Sequence, residues 1–344
     1  MNAALLTSIG TINYSMIDEP TIADDDVLVK VHCAGICGSD IPRVMKTGGH
    51  ISPLIPGHEF AGTVAKTGKR VIDVRVGDRV SVFPLISCGT CAHCAQGNVN
   101  LCDSYDYLGS RSHGGFAEHV RCPARNTVLL PDNVSFEEGA QIEPLAVALR
   151  GVRKADDIQG KTMFIFGMGP IGLYAAQIAN QFGAHVIAVD RNEYKLSIAR
   201  DLGIKHTIDN TETGALNAYL KSQRLTPEIV MDCSGSTHLL TKAIDICQKG
   251  GRIILVGNVT EDLTLTKQQV SQILRKELTI RGSWNSIHSS DDKGEWNEVI
   301  KLLDEKKVKV QPIITHKEHL KDVTRVFNEL SEKTYPFVKV MLYP

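Results

Sequence analysis

The chain has 344 residues, 42% of them hydrophobic and 22% charged, and its 38 basic and 39 acidic residues leave a formal net charge of -1. That length accommodates two domains with substantial cores, and the composition is that of a globular protein. The even charge balance argues against nucleic acid or an anionic membrane as partner. Met1-Asn-Ala-Ala-Leu-Leu6 lacks a basic leader region, and no run approaches the roughly 20 apolar residues of a membrane helix. A cytoplasmic location with reduced thiols is expected.

Residues 1 to about 150 carry short β signals, such as Val27–Val31 and Arg79–Val82, punctuated by Gly57, Gly62, Gly68 and Gly77. This pattern predicts an irregular β-barrel. Glu137–Val152 predicts a long helix with a local break at Pro144. Cys88, Cys91, Cys94 and Cys102 are spaced C-x2-C-x2-C-x7-C, in a lobe spanning 86–104. Four soft thiolates so close together suit tetrahedral zinc. Bacterial iron–sulfur proteins continue C-x3-C-P instead, whereas here the fourth cysteine is followed by Asp103. Cys33, Cys122, Cys233 and Cys247 read as small buried hydrophobes.

From about residue 160 strands alternate with helices. Strands are predicted at 162–166, 185–190, 228–232, 251–257 and 278–281, with helices at 170–182 and 194–202. Alternation of this kind means a doubly wound parallel sheet. Helices near 295–303 and 320–330 and a strand at 337–342 complete the chain.

Gly167-Met-Gly169-Pro170-Ile171-Gly172 follows the first of these strands and opens the first helix, and Asp190 closes the second strand 18 residues after Gly172. The glycines allow a tight turn and close approach of a pyrophosphate to the helix N-terminus. The carboxylate suits both ribose hydroxyls of NAD and repels a 2′-phosphate. Arg191 could accept that phosphate and keeps NADP as an alternative, and Lys195 could reach the ribose or a phosphate. Cys37, His58 and Glu143 form a workable zinc set with an open position. Spacing alone also allows Cys37 and His58 to be core residues and Glu143 to be a helix-end carboxylate.

Gly57-His58-Glu59-x2-Gly62-x5-Gly68-x2-Val71 matches the zinc-containing alcohol dehydrogenase signature, and Cys37, the four-cysteine lobe and the glycine motif occur in that family's order. The chain resembles the medium-chain zinc alcohol and polyol dehydrogenases over essentially its whole length. The resemblance implies an α/β protein: a GroES-like β-barrel catalytic domain from 1–150 and 290–344, and a Rossmann domain at 151–289. It implies two zinc ions, one structural on Cys88, Cys91, Cys94 and Cys102, and one catalytic on Cys37, His58 and Glu143. Glu59 would be an alternating ligand or a supporting carboxylate.

Ethanol-type members use a second cysteine where Glu143 stands, so the likeness is to the polyol branch. Segments 37–43, 83–85, 105–111, 114–118, 274–278 and 282–284 point further, to members acting on polyol phosphates. The implied reaction is NAD-dependent oxidation of a secondary alcohol, of the galactitol 1-phosphate type, to a ketose phosphate. An unphosphorylated polyol dehydrogenase and an NADP-dependent reductase are the alternatives. Ser39 is the expected first hydroxyl of a proton relay. The histidine usual after the zinc cysteine is replaced by Ile41-Pro42-Arg43, leaving His50, water or Glu59 to continue the relay. Arg43, Lys46 and Arg111 are candidate phosphate anchors. A homodimer or homotetramer is expected, with the stretch 278–283 pairing across subunits.

Overall fold

The structure, a computed structural model, describes residues 1–212, 214–289 and 294–344. Residues 1–143, 286–306 and 314–344 form one compact unit, and residues 144–285 and 307–313 form another. The boundary expected at 289/290 adjoins residues 290–293, which lie outside the described residues.

The first unit opens with an antiparallel hairpin of β1 (Asn2–Ser8) and β2 (Thr11–Met16). Its central strand, β3 (Asp26–Gly35), buries eight of its ten residues and pairs antiparallel with β4 (Glu59–Thr67). Cys37, the short helix α1 (Asp40–Pro42) and a π-type turn at Arg43–Thr47 lie between β3 and β4. Then come β5 (Arg79–Val82), β6 (Leu85–Ile86), α2 (Ala92–Ala95), β7 (Asp106–Tyr107), β8 (His119–Pro123) and β9 (Thr127–Leu129). β6 pairs with β7, so the cysteine lobe closes on a two-stranded clasp.

α3 (Phe136–Ala140) starts with a capping box: Ser135 Oγ accepts the Glu138 N–H at 3.2 Å while the Glu138 carboxylate accepts the Ser135 N–H at 2.8 Å. α4 (Ile142–Arg153) follows after one residue. The single helix expected over 137–152 is therefore broken at Gln141, not at Pro144. Pro144 sits in the first turn of α4, where a missing N–H costs no helical bond. The division between the units falls just after Glu143, inside α4.

The second unit is a six-stranded parallel sheet. Its strands are β10 (Thr162–Phe166), β11 (His185–Asp190), β12 (His206–Asp209), β13 (Ile229–Asp232), β14 (Arg252–Leu255) and β15 (Thr279–Gly282). The order β12-β11-β10-β13-β14-β15 reverses direction at β10, the crevice where such sheets bind ligands. α5 (Pro170–Gln181), α6 (Glu193–Asp201), α7 (Ala215–Gln223), α8 (Thr237–Ile246) and α9 (Lys267–Lys276) connect these strands. Phe164, Phe166, Val189, Val230 and Ile253 form part of its core, each at most 3% exposed.

The chain then returns to the first unit through α10 (Glu295–Asp304), β16 (Ile314–His319), α11 (Val323–Glu332) and β17 (Lys339–Tyr343). Trp296 of α10 is fully buried, packs edge-on to Phe83 at 5.3 Å and donates its indole N–H to Ser286 Oγ at 3.0 Å. β17 lies between β16 and β3. That pairing brings its first residue, Lys339, under the end of β3.

Candidate metal and dinucleotide sites

The β3–β4 register sets Gly35 opposite Glu59. Cys37, two residues past Gly35, therefore faces His58 and Glu59, and ligand atoms of all three lie within 4.8 Å of one another. His58 is 4% and Glu59 1% exposed. Gly35 is needed here, because a Cβ on it would lie 2.3 Å from Glu59 Oε2. Glu143, in the first turn of α4, is buried and accepts a hydrogen bond from the Tyr107 hydroxyl at 3.2 Å, outside that cluster of three. The sulfur of Cys37, the imidazole of His58 and the buried carboxylate of Glu59 fit zinc by donor type.

Asp40, fully buried, is a residue that motif spacing alone did not mark. Its Oδ1 stands 3.5 Å from His58 Nδ1, its Oδ2 accepts the Cys37 N–H at 3.0 Å, and Arg43 forms an ion pair with it. Such a carboxylate fixes the ring orientation of a metal-binding histidine. Burial works against charge on His58, but Asp40 and Cys37 beside it hold its pKa well above the usual value. Burial also opposes charge on Asp40, yet His58 and Arg43 keep its carboxyl below the usual range. Burial pushes Glu143 up to about 7, with His58 pulling the other way.

Lys339, Gln141 and Tyr107 were likewise not marked. Lys339 is 1% exposed and donates to Glu59 Oε1 at 2.8 Å, Glu59 Oε2 at 2.5 Å and the Ile36 carbonyl at 3.1 Å. Burial disfavours its charge, but Glu59 more than compensates and raises its pKa. Gln141 Nε2 donates to Glu59 Oε2 at 3.4 Å. The signals available were a lysine inside the apolar run 337–342 and an acid three residues after a metal-type cysteine.

The other expected residues are distributed more widely. Ser39 is half-buried at the start of α1, and its hydroxyl caps no helix N–H. Arg43 is brought to the metal cluster, but through Asp40. Lys46 and His50 are exposed, and the His50 N–H donates to the Ser110 carbonyl at 3.1 Å. Arg111 is exposed, with its guanidinium 4.6 Å over the Tyr105 ring.

In the lobe, Cys88 Sγ lies 3.9 Å and Cys91 Sγ 3.5 Å from Cys94 Sγ, and Cys102 Sγ accepts the Cys88 N–H at 3.2 Å. A tetrahedron with Zn–S bonds of about 2.3 Å has edges of about 3.8 Å, so these spacings fit the ion. Backbone N–H groups of Thr90 and Cys91 lower the Cys88 thiol to about 6, favouring the thiolate a metal needs. Among the described residues, these are the two clusters of His, Cys, Asp or Glu placed to hold a metal. Cys33, Cys122 and Cys247 are buried, whereas Cys233 is half-buried.

In the second unit, Gly167 adopts φ +87°, and a Cβ on Gly172 would lie 1.9 Å from the Gly167 carbonyl oxygen. A Cβ on Gly169, by contrast, would meet nothing within 4 Å, leaving open the approach to the N-terminus of α5. Asp190 Oδ2 accepts the Met168 N–H at 2.6 Å and Oδ1 accepts the Asn192 N–H at 2.9 Å. The carboxylate is thus pinned against the glycine turn, with lone pairs left for ribose hydroxyls. Arg191 is exposed, and Lys195 is half-buried on α6. These features fit a dinucleotide. Gly172→Ala should displace the turn and weaken dinucleotide binding at least about tenfold, as measured by cofactor fluorescence titration. Unchanged affinity would mean that the turn does not carry the pyrophosphate.

Residues 23–132 match the family model described as alcohol dehydrogenase GroES-like domain, and residues 170–305 match zinc-binding dehydrogenase. Galactitol 1-phosphate 5-dehydrogenase of Escherichia coli (strain K12) is 36% identical over 323 residues, covering 93% of each chain. The chain belongs to the zinc-dependent medium-chain alcohol dehydrogenases. D-xylulose reductase of Saccharomyces cerevisiae is also similar, 32% identical over 99% of this chain and 97% of its own. The crystal structure of galactitol-1-phosphate dehydrogenase from Escherichia coli superposes with a TM-score of 0.93 at 34% identity, covering 100% of both chains. The dehydrogenase thus combines a GroES-like domain with a Rossmann domain. It is an oxidoreductase acting on CH–OH groups of small molecules, of a zinc-binding family with solved members that hold NADH or NADP. No described helix is long and apolar enough to cross a membrane.

Proposed function

We propose that this dehydrogenase oxidises a secondary alcohol of a polyol phosphate, of the galactitol 1-phosphate type, to the ketose phosphate with NAD. The observation carrying the polyol reading is the cluster of Cys37, His58 and Glu59, a sulfur, an imidazole and a carboxylate, with buried Glu143 and not a second cysteine in the position where ethanol-type members carry their downstream ligand. Zinc supplies Lewis acidity that lowers the alcohol's pKa, and the nicotinamide supplies a hydride acceptor. Cys37, His58 and Glu143 hold the catalytic ion, and the four cysteines of the lobe hold a structural one. Asp40 orients His58, Tyr107 holds Glu143, and Ser39 takes the proton from the substrate hydroxyl. Asp190 favours NAD by receiving both ribose hydroxyls.

Arg43, Lys46 and Arg111 are the proposed anchors for phosphate, supported by the likeness to the galactitol 1-phosphate enzyme. A second reading, an unphosphorylated polyol as substrate, is favoured by one observation: Arg43 is already paired with Asp40. Initial rates with phosphorylated and unphosphorylated hexitols and pentitols separate the two. The phosphorylated form should be preferred at least about tenfold in kcat/KM, the scale of one charged contact. Arg43→Ala, Lys46→Ala or Arg111→Ala should erode that preference. If none does, the second reading stands. The same assay with NADP tests the cofactor, and Asp190→Ala should reduce the preference for NAD.

A homo-oligomer in the cytoplasm completes the proposal. It is supported by the edge position of β15 and by the exposed apolar side chains Leu274, Ile280 and Trp284 close by in sequence. Light scattering of the purified protein would reveal a monomer if this is wrong.

A further inference from the structure

The sheet of the second unit has a cavity at the end opposite its glycine turn. β10 and β11 finish at Phe166 and Asp190, beside that turn, and begin at Thr162 and His185, which are register partners. β12 begins at His206, opposite Ile187. Paired residues of neighbouring strands share a face, as do residues two apart along one strand. Thr162, His185, Ile187 and His206 therefore lie on one face of the sheet. Further along that face Phe164, Phe166, Val189 and Ile208 fill the core. Near the strand starts the packing stops, leaving a cavity of about 330 Å3 closed on its other side by Tyr219 and Gln223 of α7. That volume is within the range of small-molecule sites.

Apart from the Tyr219 phenol, the ionisable groups on the cavity wall are His185, Lys205 and His206, and no carboxylate is among the described lining residues. Glu228 adjoins Thr162, but its carboxylate accepts the Thr162 N–H at 2.9 Å. His206 Nδ1 lies 3.3 Å from the Tyr219 hydroxyl. With the phenol donating there, the ring proton sits on Nε2 and is free to meet an acceptor. The last turns of α5 and α7 also border the cavity, and helix C-termini disfavour negative charge. Here carbonyls of those turns are engaged: the Ala184 N–H donates to the Ala179 carbonyl and the Leu225 N–H to the Leu220 carbonyl, each at 3.0 Å. That balance suits one negative charge and not the two of a phosphate. We propose that this cavity is a second binding site, for a small carboxylate with an apolar body. The carboxylate meets Lys205 and the histidines, and the body lies against Ile187, Ile204 and Leu225.

Calorimetric titration of the zinc-loaded full chain, with NADH in excess to occupy the glycine turn, tests charge and body together. Indole-3-acetate is expected to bind at least about tenfold more tightly than its neutral amide, indole-3-acetamide, the scale of a charge-assisted contact. The cation tryptamine should bind more weakly than either. Acetate, which has the charge without the body, should also be at least about tenfold weaker than indole-3-acetate. Lys205 and Gln223 are exposed, so Lys205→Glu and Gln223→Glu should leave the melting temperature in place. Each should weaken indole-3-acetate at least about tenfold. Equal affinity for the acid and its amide, or no binding of indole-3-acetate, overturns the proposal. So does unchanged affinity for indole-3-acetate in both variants, which would place the probe at another site, such as the metal cluster.

Discussion

On the proposal of two zinc ions per chain, Cys37→Ser is expected to bind one fewer than the native protein and to lose turnover by at least about 10³-fold. The magnitude follows from the several kcal/mol of charge stabilisation that a catalytic metal supplies, at about 1.4 kcal/mol per factor of ten. Cys37 is only half-buried and lies outside the hydrophobic core, so the fold should survive and thermal melting should shift little. Elemental analysis, a melting curve and initial rates on one preparation give the answer. Turnover that persists after the second ion is gone would remove the metal from the chemistry. Two ions still bound, with activity lost, would instead make the thiolate important for something other than holding zinc.

Cys94→Ser should act on stability and reach activity only indirectly. Of residues 88–102, just Asn100 and Cys102 are buried, so this lobe has almost no core of its own. On the proposal that the four sulfurs hold an ion, the metal takes the place of that core, since structural zinc contributes apparent free energies of about 10–16 kcal/mol. With one sulfur removed, limited proteolysis should cut within 86–104 while the rest of the chain resists, and one zinc should be lost. The clasp of β6 and β7 adjoins the lobe, and Tyr107 of β7 holds Glu143. Loosening the clasp should therefore cost about tenfold in kcat, the scale for losing a group that supports a metal ligand. A protease-resistant lobe in Cys94→Ser would show that the ion is dispensable there.

How far the sequence could be read depended on how local the chemistry is. The glycine turn before α5 and the cysteine spacing are complete within short stretches of chain, so the turn and the clustering of the four sulfurs could be read from spacing alone. The β3–β4 register that joins Cys37 to His58 and Glu59 is a matter of strand pairing and required the resemblance. The sequence reading does not mark α7, α8 or α9, although Ser236 caps α8, which buries Leu240, Ala243, Ile244 and Ile246; α9 buries none of its residues and starts at a Thr266–Gln269 capping box. Lys339 could not have been connected to Glu59 by spacing at all, since the two are 280 positions apart. The helix break at Gln141 was hidden by Pro144, a stronger breaker in the wrong place for breaking.

That separation of 280 residues also dictates an order of events during folding. Beside the candidate metal cluster a late strand, β17, is laid against an early one, β3, and the whole of the second unit lies between them in the sequence. Contacts so distant along the chain form after local ones, because the intervening loop must first be closed. The cysteine lobe, complete within 15 residues, can capture its ion while the chain is still largely unfolded. On refolding from denaturant with zinc present, uptake of the first ion should precede that of the second, and dehydrogenase activity should return only with the slower step.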